Sequence, residues 1–132
     1  MKLTYHQIEF ILTNPATKSL LDKVTGVFGL KLSRAISKLS EEMKPFNAAI
    51  KRIQDGYAVK NEDGTMKTIK LNETMEIIDF GENQEIASRE ITELRLEEIE
   101  VNIEPIDYDP ENEKNKDITG AEILAVLPLI KE

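Results

Sequence analysis

The strongest constraint on this chain is a row of large apolar residues between Leu30 and Tyr57. Leu32, Ile36, Leu39, Met43, Phe46, Ile50, Ile53 and Tyr57 follow one another at alternating steps of four and three residues. That alternation is a seven-residue repeat, and it sets all of these side chains along one narrow seam of an α-helix. A helix over 30–57 is about 42 Å long at 1.5 Å rise per residue. Such a seam has to be covered by another helix of the chain, by a second copy, or by both. Its length predicts a homo-oligomer formed through the long helix. Pro45 falls inside the seam, where it removes one backbone hydrogen bond and presses on the Glu41 carbonyl, at a cost of about 3 kcal/mol. Each buried seam residue returns about 1.5–3 kcal/mol, and the register passes Pro45 unbroken. One kinked helix is expected.

The remaining composition narrows the class. A chain of 132 residues with 40% hydrophobic and 32% charged residues is one domain's worth of globular protein. With no Trp and only 5% aromatic residues, the core must come from Ile, Leu and Val. The absence of Cys removes disulfides, thiolate metal sites and a thiol nucleophile together. No apolar run approaches about 18 residues, and Met1-Lys2-Leu3-Thr4-Tyr5-His6 has no signal-like apolar core. The expectation is a cytoplasmic protein without membrane association.

Other segments follow from local signals. Thr4 and Gln7 form a capping box that opens a short helix, and Asn14-Pro15 starts a second. Gly26 and Gly29 predict a break before the main helix. Tyr57–Lys60 and Thr65–Leu71, joined by Asp63-Gly64, read as a β-hairpin, with a further extended piece at 75–80. Asn72-Glu73-Thr74 matches a glycosylation sequon, which has no meaning without a secretory signal. A helix over 83–96 carries Ala87, Ile91 and Leu94. The alternation of Ile99, Val101 and Ile103 with charged or polar residues then predicts a half-buried strand ending at Pro105. Thr119 and Glu122 form a second capping box for a C-terminal helix in 118–132. The fold class is α+β in a single domain (1–132). Its parts are an N-terminal helical segment (1–29), a long kinked helix (30–57) packed on a second helix, a hairpin region (58–80), a helix and strand (83–104), and a C-terminal helix.

Charge is unevenly placed. Residues 1–60 carry ten Lys or Arg against five acids, and residues 61–132 seven against twenty, which together make the net −8. The two halves can neutralise each other, with Glu90, Glu93 and Glu97 facing Lys31, Arg34 and Lys38. Alternatively Lys31, Arg34, Lys38, Lys51 and Arg52, the basic set with helical order, form a binding surface for phosphate oxygens. An acidic chain does not suit nucleic-acid binding, which draws its affinity from positive charge. His6 stands alone, with no Ser or Asp neighbour to make a triad. Asp107, Asp109, Glu111 and Glu113 alternate like the start of a calcium loop, but Asn112 and Ile118 occupy its glycine and glutamate positions. No pair of carboxylates is marked for acid–base work, and no cofactor or metal site is expected. The reading is a non-enzymatic protein.

The order of signals resembles a family of small proteins of tailed bacteriophages. The resemblance rests on Glu41-Glu42-Met43-Lys44-Pro45-Phe46, Gly56-Tyr57, Lys60-Asn61-Glu62-Asp63-Gly64, Ile99-Glu100-Val101-Asn102-Ile103-Glu104-Pro105-Ile106 and Ile118-Thr119-Gly120-Ala121-Glu122-Ile123-Leu124. It spans about residues 30–127 as a helix–hairpin–helix–strand–helix order and supplies no catalytic residues. It implies a phage accessory protein in the host cytosol. One role is anti-defence, sequestering a nucleotide-type immune signal; the other is particle assembly or chaperoning of a structural protein.

Overall fold

The computed structural model describes residues 1–132. It is a mixed α+β structure dominated by helix, and by internal packing it divides into two compact units. The first comprises residues 1–44 and 97–132, the second residues 45–96.

The first unit opens with strand β1 (Lys2–Thr4), antiparallel to β4 (Glu98–Glu100), with Leu3 opposite Ile99. Helix α1 (Tyr5–Thr13) follows, and its capping box is formed: the Gln7 amide donates to Thr4 Oγ1 at 3.1 Å, and the Thr4 amide to Gln7 Oε1 at 2.8 Å. Helix α2 (Pro15–Lys23) is capped by Asn14, with Pro15 in its first turn. The break then comes at Val24-Thr25, earlier than the glycine pair indicated. Helix α3 (Gly26–Tyr57) begins on Gly26, whose φ of +65° lies in the left-handed region. Gly29 is therefore inside the helix. A Cβ there would stand 3.0 Å from the carbonyl carbon of Val24, so glycine allows the two segments to close up.

Helix α3 is 32 residues long, about 48 Å, and runs through Pro45 without interruption. Along the seam Leu32, Leu39, Met43 and Phe46 are buried, while Ile36, Ile50, Ile53 and Tyr57 are half-buried. None of the eight seam residues belongs to the fully exposed surface of the chain. The core of the first unit also draws on Ile8, Ile11, Leu20, Val101, Val126 and Leu129, all essentially inaccessible.

The strand expected across 98–104 is shorter. Ladder pairing stops at Glu100, although Val101 and Ile103 stay buried. Its partner β1 carries too few residues to show an alternation. The C-terminal helix is likewise reduced to α5 (Gly120–Ala125), with the Thr119–Glu122 capping box formed and a 3-10 turn at Leu127–Leu129 after it.

In the second unit the chain leaves α3 and turns at Asp63-Gly64. Gly64 has a φ of +86°, and Asp63 accepts hydrogen bonds from the Thr65 amide and hydroxyl, which hold its carboxyl below the usual range. The expected hairpin across this turn survives only as a single Lys60–Met66 bridge. The ladder lies one segment later, between β2 (Thr68–Lys70) and β3 (Glu76–Ile78). Val59 explains the change: its amide donates to Asp79 and its carbonyl accepts from Lys67, so it is shared between both strands at their base. Asn72-Glu73-Thr74 closes the hairpin as a side-chain-stabilised turn, the Thr74 amide donating to Asn72 Oδ1 at 2.9 Å. After a 3-10 turn, helix α4 (Gln84–Leu96) follows, and the Tyr57 hydroxyl donates to Glu90 at 3.0 Å. The buried hydrophobic residues of this unit are Phe46, Phe80 and Ala87, a thinner core than the first unit has.

Candidate functional site: a basic groove on the long helix

Lys31, Arg34 and Lys38 follow each other at three- and four-residue steps on α3, and this spacing aligns them on one face. Ala35, 3% exposed, lies among them and keeps the floor low. The segment Asn102–Ile106, just past β4, forms the opposite wall of a groove of about 280 Å³. This lies near the lower bound of small-molecule pockets.

The wall is held at both ends. On one side the Met1 ammonium donates to the carbonyls of Val101 at 2.7 Å and Ile103 at 3.3 Å. On the other, the Ile106 amide donates to Leu129 and its carbonyl accepts from Lys131. Lys38 joins wall to helix, its Nζ donating to the Asn102 carbonyl at 2.7 Å. Lys38 is therefore largely spent on structure. Lys31 and Arg34 are exposed, and neither makes an ion pair or a side-chain hydrogen bond within the chain. Within the second unit Glu90 takes the Tyr57 hydroxyl and raises that phenol's pKa. Glu104 is the one carboxylate on the groove's lip, leaving a local surplus of positive charge.

Chemically, a guanidinium and an ammonium one helical turn apart supply a fork and a point charge for phosphate oxygens. Ile103, Pro105 and Ile106 add an apolar wall suited to a ring or sugar face. Lys51 and Arg52 belong to the second unit and do not line the groove; both are exposed. The wall residues carry no signal in the sequence: Pro105 marks the end of a strand, but nothing local says where the following segment packs.

Two other places are weaker candidates. A wider hollow of about 480 Å³ lies between Phe28, Tyr108 and the Asp107–Asn115 loop, with the two rings 5.5 Å apart. Its rim carries Asp107, Asp109 and Glu132, while its Lys131 is already paired with Asp107 at 3.6 Å, so it repels anions. No three His, Asp or Glu side chains converge into a set that could hold a metal ion, and the acidic residues of this loop do not form one. The second place is Glu122, a buried acid. It receives Lys23 Nζ at 2.9 Å, Ser19 Oγ at 2.8 Å and the Thr119 amide at 2.8 Å. Lys23 chiefly, then the Thr119 amide, hold its carboxyl at about 2. Buried and held by these three donors, it joins α2 to α5.

Comparison with protein-family models, with curated proteins and with solved structures returned no match.

Proposed function

We propose that this chain is a small binding protein whose Lys31–Arg34–Lys38 groove captures a phosphate-bearing small molecule of nucleotide type. The observation carrying this reading is that Lys31 and Arg34 stand uncompensated beside an apolar wall in a chain of net charge −8. With 25 acidic residues available for pairing, two unpaired cations at one groove favour an anionic ligand over a structural role. The groove brings together no acid–base pair, so capture without turnover is the function it supports. The resemblance to small phage proteins supports a setting in the host cytosol, where such a protein would act against defence by sequestering a nucleotide signal.

Calorimetry against nucleoside monophosphates, cyclic nucleotides and ADP-ribose-type compounds tests the reading. Saturable binding is expected, weakened about tenfold or more by Arg34→Ala, since a charge-assisted hydrogen bond contributes about 1.5–3 kcal/mol and 1.4 kcal/mol is a factor of ten. Lys51→Ala and Arg52→Ala should leave it unchanged. Absence of binding to every compound, or an equal loss with Arg52→Ala, would overturn it.

A second reading, a particle-assembly factor or chaperone for a structural protein, is favoured by the apolar residues exposed on the β2–β3 hairpin. It predicts co-purification with a phage structural protein through that hairpin.

A further inference from the structure

Three charged side chains of the α3 groove are uncommitted, and one of them has the opposite sign. Lys31 and Arg34 stand on the helix wall and Glu104 on the facing segment. Glu104, like the two cations, makes no ion pair or side-chain hydrogen bond within the chain.

The segment that carries Glu104 is fixed on both sides of it. Lys38 Nζ holds the Asn102 carbonyl at 2.7 Å, and Ile106 exchanges backbone hydrogen bonds of 2.8 Å with Leu129 and Lys131. Ile103 and Ile106 are buried, while Glu104 between them stays exposed at the groove. Pro105 further disfavours helical backbone at Glu104.

The free charges are therefore two positive and one negative, on facing walls of a groove of about 280 Å³. Lys31 and Arg34, one turn apart, suit the oxygens of one phosphate. A second phosphate finds no free cation among the lining residues, because Lys38 is bound to Asn102, and it is repelled by Glu104. An ionised carboxylate can only accept, so Glu104 asks for a neutral donor close to that single phosphate. In a ribonucleotide the nearest such donors are the ribose hydroxyls, since the sugar is bonded to the phosphate and the base edge lies a ring further away.

We propose, building on the reading of this groove as a phosphate site, that it selects a ribonucleoside monophosphate. Lys31 and Arg34 hold the phosphate, and Glu104 accepts from the ribose hydroxyls across the groove.

Calorimetry of the full chain with adenosine monophosphate and its dideoxy counterpart tests this, because the pair share phosphate and base and differ only in the ribose hydroxyls. Wild type should bind the ribose compound about tenfold more tightly, as expected for a hydrogen bond to a charged acceptor. Glu104→Ala should bring that ratio close to one, whereas Arg34→Ala should weaken both compounds alike. Adenosine triphosphate should bind wild type no more tightly than the monophosphate. Glu104 is exposed and unbonded, so its variant should keep the wild-type circular dichroism spectrum. Equal wild-type binding of the two monophosphates, with both weakened by Arg34→Ala, would overturn the selection and leave the phosphate site standing. A ratio that survives Glu104→Ala, or a tenfold gain with the triphosphate, would overturn it too. Binding of neither monophosphate removes the selection, and silence from the wider nucleotide panel removes the phosphate site as well.

Discussion

Glu122 gives the most quantitative prediction. Its side chain is 4% exposed and receives Lys23, Ser19 and the Thr119 amide, all of which favour the ionised form. A carboxyl that ordinarily titrates at 4.5 does so here at about 2. At about 1.36 kcal/mol for each tenfold change in proton affinity, the ceiling is about 3.4 kcal/mol of folding stability. Lys23 is 37% exposed, so solvent screens part of its attraction, and about 2 kcal/mol is the working figure. The sign follows from the direction. Because the folded group titrates below the unfolded one, the contribution is complete above pH 4.5, declines as pH falls, and is gone below about 2. Glu122→Gln keeps an oxygen for the Thr119 amide but loses the charge. Urea unfolding followed by circular dichroism near neutral pH should show the variant's midpoint lower by about 1 M, taking a slope of about 2 kcal/mol per M. The gap should close between pH 4.5 and 2, because there wild type loses what the variant never had. A constant gap through that window, or no gap at neutral pH, would show that the ion pair does not carry this stability.

Other expectations can be checked by the same unfolding assay. Gly29→Ala should destabilise by about 1–3 kcal/mol, because its Cβ meets the Val24 backbone at 3.0 Å and backbone cannot step aside as a side chain can. Pro45→Ala should stabilise, by up to about 3 kcal/mol, since the position is exposed and alanine restores the amide that α3 lacks there. Gly64→Ala should cost about 1 kcal/mol through its φ of +86°, leaving the ligand groove unaffected.

How much of the structure is legible in the sequence depends on how local each cause is. Helix α3 is legible because its seven-residue period spans many turns and outweighs one proline. Both capping boxes are legible because their partners lie three residues apart. Strand β1 is not, since three residues, Lys2-Leu3-Thr4, show no period and pair with a segment nearly a hundred positions away. The hairpin shifts by one segment because Val59 has hydrogen-bonding partners on both sides, and only the folded chain decides between them. The groove is half legible. Helical spacing aligns Lys31, Arg34 and Lys38, but the step from Lys31 to Lys51 is about 5.5 turns, which carries Lys51 off that face. The other wall, Asn102–Ile106, is placed by Met1, Lys38 and Leu129, and none of those contacts is written in the segment itself.

The central claim is that the basic face of α3 and the segment after β4 act together as one anion site. Amide chemical-shift mapping of the labelled protein, titrated with a nucleoside monophosphate and then with the matching nucleoside, tests it most directly. Saturable shifts confined to residues 31–38 and 102–106 are expected with the phosphate present, and little response without it. Shifts centred on Lys51 and Arg52, or equal responses to both compounds, would contradict it.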